Sequence, residues 1–215
     1  MYIPSSNKED NLEVLHNLIR TYNFATLITS NDGTPFATHI PFMLDSSRGP
    51  YGTLIGHIAR ANPQWQHFTT VHEVLVIFQG PHAYISPAWY TGEFNVPTWN
   101  YAVAHVYGNP KIVEDLSTIQ QVLDELVNHH ESSRSQPWTF AWSEHHINLA
   151  KAIVVFEIEI AQLEGKFKLS QNRSETDQQQ VIGGLNRSAF ESDHAVVELM
   201  IAGAKEKQKC NEELE

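Results

Sequence analysis

The sequence predicts a mainly β fold with peripheral α-helices (α+β), built as a small antiparallel barrel of six to seven strands. Short apolar runs separated by turn sequences rich in Gly, Pro, Asn and Asp indicate the strands. The segment from Thr34 to Pro110 has only five formal charges among thirteen aromatic residues and six histidines. Because charge is left out where surface is buried, this segment is predicted to form a core with a ligand pocket or subunit interface built into it.

A helix and a hairpin are predicted at the amino end. Residues 12–21 place their leucines and Ile19 at helical spacing, with Asn7 or Asp10 as the cap. An Asn-Asp-Gly sequence, a strong hairpin signal, then separates two strand-like runs, residues 24–29 and 36–44.

The middle of the chain predicts four further strands. Residues 51–59 follow a turn rich in Ser and Gly, and Asn62-Pro63 then begins a short helical connection. Residues 74–78 form a continuous apolar run, typical of a strand buried on both faces. Gly80-Pro81 is predicted to end that strand, and the two strands after it are residues 82–86 and 99–113.

The last third of the chain is predicted to be mainly helical. A helix with one apolar stripe begins near residue 115, residues 137–151 form another helix, and residues 153–160 form the last strand. The polar region after Gln171 is predicted to be helical as well. The predicted caps are Asp115 or Ser117 for the first of these helices and Ser192 or Asp193 for the last.

Composition limits the class of protein. The formal net charge of −11 argues against direct binding to DNA, because nonspecific affinity for phosphate backbones comes from Lys and Arg. The single cysteine, Cys210, permits no internal disulfide, and the amino end lacks the basic start and apolar run of a signal peptide. We therefore expect a cytoplasmic protein with no membrane association.

Two motifs on predicted strands suggest ligand contacts. In ATHIPF, strand alternation places Thr38 on the opposite face from His39, and the proline requires a sheet edge, where a flat heterocycle can form hydrogen bonds. In GHIARANPQW, the donors His57, Arg60 and Asn62 precede a turn and suit a phosphate. ATHIPF fits a half-buried strand equally well, whereas turns such as that in GHIARANPQW occur more often without a ligand.

The strings FQGPHAYISPAWY and NVPTWNY are crowded with amphipathic aromatic and amide side chains. Such residues suit the stacking and edge recognition of a planar ring, and they suit a dimer interface equally. Neighbouring histidines at 129–130 and 145–146 lack the spacing of a helical zinc site, so no metal is predicted. No pattern of a nucleophile or of a phosphate-binding glycine loop is present.

The series MYIP, ATHIPF, GHIARANPQW, FQGPHAYISPAWY, VPTWNY and KLSQNR resembles the motifs of the PaiB family, FMN-binding negative transcriptional regulators. The resemblance implies an FMN-binding split β-barrel, similar to that of pyridoxamine-phosphate-oxidase-like proteins, which forms a homodimer with FMN between its subunits. It also implies a split-barrel domain over residues 1–165 and a mostly helical segment, residues 166–215, that completes the pocket.

The same resemblance implies the cofactor-binding residues. The strand beside the flavin ring corresponds to Thr38 and His39, and the phosphate site to His57, Arg60 and Asn62. This chain has few of the clustered Arg and Lys residues by which the oxidases hold phosphate. The remaining matches are Thr98, Trp99 and Asn100 on a later strand and Lys168, Gln171, Asn172 and Arg173 in the carboxyl-terminal segment.

Three functions remain open at this point. The first is a regulator that senses a ligand or redox state and engages a protein or DNA partner. The second is an FMN-dependent oxidoreductase whose effects on transcription are indirect, and the third is a barrel without flavin that binds a partner. No residue identifies a substrate or an electron donor.

Overall fold

The computed structural model describes residues 1–31, 33–70 and 73–212. Asp32, the centre of the predicted hairpin turn, lies outside the described residues. The helices are α1 (Leu12–Thr21), α2 (Gln64–His67), α3 (Leu116–Glu131), α4 (Glu144–Ala150), α5 (Glu175–Leu185) and α6 (Glu191–Glu212). The strands are β1 (Lys8–Glu9), β2 (Phe24–Asn31), β3 (Thr34–Pro41), β4 (Met43–Asp45), β5 (Thr53–Ala59), β6 (Val74–Ile85), β7 (Thr98–Val113) and β8 (Ile153–Lys168).

The described strands form one eight-stranded sheet with the order β3-β2-β6-β7-β8-β5-β4, and β1 pairs with β8. The registers that join β2 to β3, β2 to β6, β4 to β5 and β5 to β8 are all antiparallel. Two of the eight strands, β1 and β4, have three residues or fewer. The predicted α+β class with an antiparallel sheet is therefore confirmed.

The chain divides into two compact units. We call residues Leu12–Phe78 and His105–Leu163 the central unit. The terminal unit contains Met1–Asn11, Gln79–Ala104 and the carboxyl-terminal segment from Glu164. Each unit is described by itself below.

Aromatic rings form the middle of the core of the central unit. The ring of Phe42 meets those of Phe78 and Phe156 edge-on, each at 6.0 Å between centroids, and Phe68 lies 4.8 Å from Phe156. Helix α1 buries Leu15, Leu18 and Ile19, so the apolar spacing that predicted this helix forms its packed face. The core of the terminal unit includes the buried residues Ile85, Tyr90, Phe167, Val181, Leu185 and Val196.

Two strand predictions were wrong at prolines. Strand β6 continues through Gly80-Pro81 to Ile85, where the sequence predicted two separate strands. Its register with β2 covers residues 75–77, so the missing N–H of Pro81 costs no hydrogen bond to β2. Conversely, the single strand predicted over residues 36–44 is divided at Phe42, whose N–H leaves the ladder and donates to the Asn23 carbonyl at 2.9 Å.

Residues 137–143 are not helical, although a helix was predicted over 137–151. The rings of Phe140 and Trp142 stack at 4.6 Å, and residues two apart on a helix would point in nearly opposite directions. The indole N–H of Trp142 donates to the Asp124 carboxylate at 3.0 Å. Ring stacking within the segment and a hydrogen bond to α3 therefore replace the helix there, and α4 begins only at Glu144.

The helix caps predicted for α1, α3 and α6 are confirmed only in part. The Asp115 carboxylate accepts the Thr118 N–H at 2.8 Å and caps α3, as predicted. Asn7 lies in a short 3-10 turn before β1, so it does not cap α1. Helix α6 begins at Glu191, and the Ser192 hydroxyl is bonded instead to the backbone of His82, which excludes it as the predicted cap.

Candidate functional site

Strand β3 presents its two candidate residues on opposite faces. Thr38 is half-buried and Ile40 is buried, whereas Ala37 and His39 are exposed, as the alternation predicted. The imidazole Nδ1 of His39 lies 3.0 Å from the Thr26 hydroxyl on β2. The two candidate side chains of this strand therefore lie in different surroundings.

Asn62 connects β3 to the turn that begins α2. Its side-chain N–H donates to the Thr38 hydroxyl oxygen at 2.9 Å, and its Oδ1 accepts the Gln64 N–H at 3.0 Å. The second bond is a local Asx-type turn, which explains why Asn precedes Pro at this point. Within the described parts of the chain, the second amide N–H of Asn62 and the Thr38 hydroxyl proton have no acceptor, so both can serve a ligand.

Sequence reasoning missed Gln64, whose side chain is completely buried in the same region. Its Nε2 donates to the carbonyls of Leu27 at 3.1 Å and Phe36 at 3.2 Å, which attaches α2 to the β2–β3 hairpin. Its Oε1 has no hydrogen-bond partner among the described residues. A buried amide oxygen of this kind needs a donor from a ligand or a water. The only sequence signal was a Gln directly after the Asn-Pro turn.

The Arg60 side chain is fixed by backbone carbonyls. Its Nε donates to Lys151 O at 2.8 Å and its Nη2 to Ile153 O at 2.9 Å, while the Trp65 indole N–H donates to Arg60 O at 2.9 Å. The guanidinium lies 5.8 Å from the Trp65 ring centroid. Since a guanidinium has five N–H donors, Arg60 keeps its charge and its remaining donors for an anion.

Burial in the sheet lowers the pKa of His57 on β5 below its ordinary value. The imidazole is therefore neutral at pH 7 and can donate one N–H at most. Among His57, Arg60 and Asn62, Arg60 alone supplies a full positive charge to a phosphate.

This lowered pKa predicts a pH dependence of stability. As the pH falls below about 6.5, the unfolded chain takes up the His57 proton before the folded protein does. The free energy of unfolding should then decrease, by at most about 1.4 kcal/mol per pH unit for this one group, until the pH reaches the folded pKa. Denaturant titrations between pH 7 and pH 5 should show a shallower decrease for His57→Gln than for the exposed control His130→Gln. Equal pH profiles of the two variants would contradict the expectation.

In the terminal unit, the Lys168 side chain forms hydrogen bonds with the first residues of β7. Its ammonium donates to the Thr98 hydroxyl and to the Trp99 carbonyl, the latter at 2.7 Å. Burial, followed by the nearby charges of Lys166 and Arg173, lowers the pKa of Lys168. Three cations thus gather here in a chain whose net charge is −11, a local arrangement that attracts anions.

Asn100 is completely buried and belongs to a structural pair. Its Nδ2 donates to the Ser170 hydroxyl at 3.0 Å, and that hydroxyl donates back to Asn100 Oδ1 at 3.2 Å. Ser170 has a φ of 61°, a left-handed conformation unusual for a residue with a Cβ. Sequence reasoning missed Ser170. The pair stabilises the turn after β8, which carries the next three candidates.

Those three candidates differ in their surroundings. Gln171 Oε1 accepts the Leu169 N–H at 2.7 Å, and its Nε2 donates to the Phe167 carbonyl, so its amide completes the turn. Asn172 is exposed. The Arg173 guanidinium lies 4.3 Å from the ring centroid of Tyr90.

The structure brings some of the candidates into contact, in each unit separately, whereas no side-chain hydrogen bond joins His39, His57, Arg60 or Asn172 to another candidate among the described residues. Thr38 contacts Asn62 in the central unit, and Thr98 and Trp99 contact Lys168 in the terminal unit. Among the described ranges, no three His, Cys, Asp or Glu side chains lie close enough to hold a metal ion.

The antiparallel sheet with its surrounding helices is similar to the folds of several solved proteins. The fold is similar to that of the FAD and heme binding protein from Mycobacterium smegmatis, with a TM-score of 0.59 at 18% identity over 75% of this chain and 73% of that chain. It is also similar to the flavocytochrome Anf3 from Azotobacter vinelandii, with a TM-score of 0.58 at 14% identity over 74% of this chain and 68% of that chain.

The chain belongs to the family described as "Putative FMN-binding domain", whose model matches residues 1–162. It is 38% identical over 204 residues to "Protease synthase and sporulation protein PAI 2" of Bacillus subtilis, covering 93% of this chain and 96% of the relative. An uncharacterized protein of Emericella nidulans, AN0679, is 31% identical over 93% of this chain and 96% of its own length. The predicted membership in the PaiB family and the predicted cofactor, FMN, are confirmed.

Proposed function

We propose that this PaiB-like protein is a homodimeric regulator that binds FMN and senses a ligand or the redox state of the flavin. The observation that carries the proposal is the near full-length match to PAI 2, together with the FMN-binding family model. The name of that relative, "Protease synthase and sporulation protein PAI 2", refers to sporulation, and we infer a regulatory role from it.

The donors and acceptors of the central unit fit a phosphorylated flavin. Thr38, Asn62 and Arg60 retain N–H or O–H donors for a phosphate, and Gln64 Oε1 is a buried acceptor without a described partner. Each charge-assisted hydrogen bond to a phosphate contributes roughly 1.5 to 3 kcal/mol. The residues proposed to form the FMN site, by direct contact or by positioning another residue, are Thr38, His39, His57, Arg60, Asn62, Thr98, Trp99, Asn100, Lys168, Gln171, Asn172 and Arg173.

Different residues would have different roles in binding the cofactor. Arg60 offers the charge for the phosphate, and Asn62 orients the turn beside it through its bonds to Thr38 and Gln64. Lys168 and its neighbouring cations offer further positive charge in the terminal unit. Asn100 and Ser170 act indirectly, because their paired side chains fix the turn that carries Gln171 and Arg173. When bound, FMN supplies hydride or electron transfer.

Further features of the proposal concern assembly and partners. FMN would lie between two subunits, with residues 1–165 forming the split barrel and residues 166–215 completing the pocket. The net charge of −11 favours a protein partner over direct contact with DNA. No helix within the described ranges is long and apolar enough to span a membrane, and a cytoplasmic location remains part of the proposal.

The flavin content of the purified protein tests the proposal first. We expect a yellow protein with an oxidised flavin spectrum, or a colourless one that FMN restores to one flavin per subunit. A protein that FMN cannot reconstitute would overturn the proposal. Rapid bleaching of the flavin by NADH or NADPH, with multiple turnovers, would favour the FMN-dependent oxidoreductase instead. If the FMN-loaded protein binds a partner in one redox state of the flavin and not in the other, the regulatory function is supported.

A further inference from the structure

The terminal unit contains an aromatic groove, of which the proposed function uses only Trp99. Its volume is about 550 Å³, within the range of small-molecule sites. Its lining residues are His82, Tyr84, Trp89, Trp99, Gly184, Arg187, Ser188, Phe190, Ser192 and Asp193. We define these residues as the aromatic groove.

Large rings remain exposed along this groove. Tyr84, Trp99 and Phe190 are 47%, 52% and 73% exposed. The ring of Trp99 lies 6.0 Å from those of Tyr84 and His82, at interplanar angles of 73° and 40°. The rings thus present faces and edges at several orientations, which suits contact with another aromatic ring.

Gly184 on α5 fixes another wall of the groove. A Cβ at this position would lie 2.5 Å from the indole carbons Cδ2 and Cε2 of Trp89. The absence of a side chain therefore allows the Trp89 indole to lie against the helix backbone. This close packing holds Trp89 in place, so this wall of the groove is preformed.

The backbone beside the groove is closed to an added strand. The Ser192 hydroxyl accepts the His82 N–H at 3.0 Å and donates to the His82 carbonyl at 2.6 Å. Both backbone groups that a partner strand would need at this position are occupied. This arrangement favours recognition by side chains, as for a small molecule, over strand addition by a peptide.

Charge limits the class of ligand. The Arg187 guanidinium forms no ion pair within the part of the chain that the structure describes, although the chain has 25 acidic residues against 14 Lys and Arg. Asp193 is the one carboxylate among the described residues that line the groove. The other polar side chains of the groove, besides Arg187, include His82, Tyr84, Ser188 and Ser192. An anionic group on the ligand would pair with Arg187 if it pointed away from Asp193.

We propose that the aromatic groove binds a small planar aromatic carboxylate as a ligand additional to FMN. The rings of Tyr84, Trp99 and Phe190 contact the aromatic part of the ligand, and Arg187 pairs with its carboxylate. The groove shares Trp99 with the residues proposed to hold FMN, so this inference rests in part on the proposed function. Flavin content tests that function, and titration of the FMN-saturated protein with a second ligand tests the groove.

Calorimetric titration of the FMN-saturated protein with naphthoate tests the proposal, with naphthamide as its uncharged counterpart. We expect Trp99→Ala to weaken naphthoate binding about tenfold, as loss of one aromatic contact of about 1.4 kcal/mol would do. Trp138→Ala is the matched control because Trp138 is also 52% exposed and lies in the central unit. It should leave the affinity unchanged.

The charge variants test the orientation of the ligand. Arg187→Gln should weaken naphthoate about tenfold and leave naphthamide unchanged, whereas Lys205→Gln, which removes the same charge elsewhere, should alter neither. Asp193→Asn should strengthen naphthoate binding. Melting curves of each variant would verify that it is folded.

Three results would overturn the proposal. The first is that the wild-type protein does not bind naphthoate, or that the Trp99 and Arg187 variants bind it with the same affinity as their control variants. The second is displacement of FMN by naphthoate in equal amounts, which would assign the groove to the flavin site. The third is a change of sedimentation from dimer to monomer in Trp99→Ala without a change in naphthoate affinity, which would make the groove a subunit interface.

Discussion

Replacing Gly108 with alanine should lower the free energy of unfolding by about 3 kcal/mol. Gly108 is buried on β7, and a Cβ there would overlap the backbone carbonyl oxygen of Glu159 on β8 and approach Ile158 Cγ2 to 2.7 Å. Because the first of these atoms belongs to a paired strand, the clash cannot be relieved by a side-chain rotation. The two strands would have to separate at the centre of the sheet. Urea denaturation followed by circular dichroism measures the change.

Gly203→Ala is the control for this prediction. Beyond the adjoining helix backbone, no described atom lies within 4 Å of a Cβ at Gly203 on α6. Alanine there should therefore raise stability by roughly 0.5 to 1 kcal/mol through its helix propensity. The two Gly→Ala variants are thus expected to change stability in opposite directions. A Gly108→Ala protein as stable as the wild type would show that β7 and β8 are not so closely packed.

Asn62→Asp should weaken FMN binding at least about tenfold. Aspartate keeps an oxygen for the Gln64 N–H, and it can accept the Thr38 hydroxyl proton, so the turn is expected to remain folded. The Asn62→Asp variant has no amide N–H to donate to the phosphate. Its carboxylate also places a second negative charge beside the phosphate. A repulsion of only about 1.4 kcal/mol, well below the Coulomb energy of neighbouring unit charges at an effective dielectric constant of about 20, gives a tenfold loss.

Two controls isolate the phosphate contact. Asn128→Asp places the same charge on the exposed surface of α3, and FMN affinity should not change in that variant. Riboflavin lacks the phosphate, so its affinity for Asn62→Asp should match its affinity for the wild type. Flavin fluorescence titration measures all of these affinities. Equal FMN affinity in the Asn62 and Asn128 variants would remove Asn62 from the phosphate site.

Local sequence signals predicted the elements whose stability depends on nearby residues. The helix over 12–21 is confirmed to the residue, because its apolar spacing coincides with the buried face of α1. The Asp115 cap depends on a hydrogen bond three residues away, at Thr118. The alternation in ATHIPF correctly separated Thr38 from His39, because side chains on a strand point to alternate faces.

Local sequence signals gave wrong predictions where contacts between residues far apart in the chain outweighed the local secondary-structure preference. Gly80-Pro81 looks like a strand end, yet β6 continues through it. Residues 137–143 looked helical, but Trp142 bonds to Asp124, eighteen residues earlier. Gln64 was missed because its partners, Leu27 and Phe36, lie far away in the sequence. The roles of the candidate cofactor residues stay predictions.

The sequence alone determined the α+β class, the hairpin and first helix, and the family with its cofactor, because these depend on short-range periodicity and on motif order along the chain. Only the tertiary structure decided which side chains are still available to a ligand. It fixed Arg60 to the carbonyls of Lys151 and Ile153, buried Asn100 against Ser170, and left Gln64 Oε1 without a described partner. Hydrogen bonds between residues far apart in the chain decide this availability, and no local pattern encodes them.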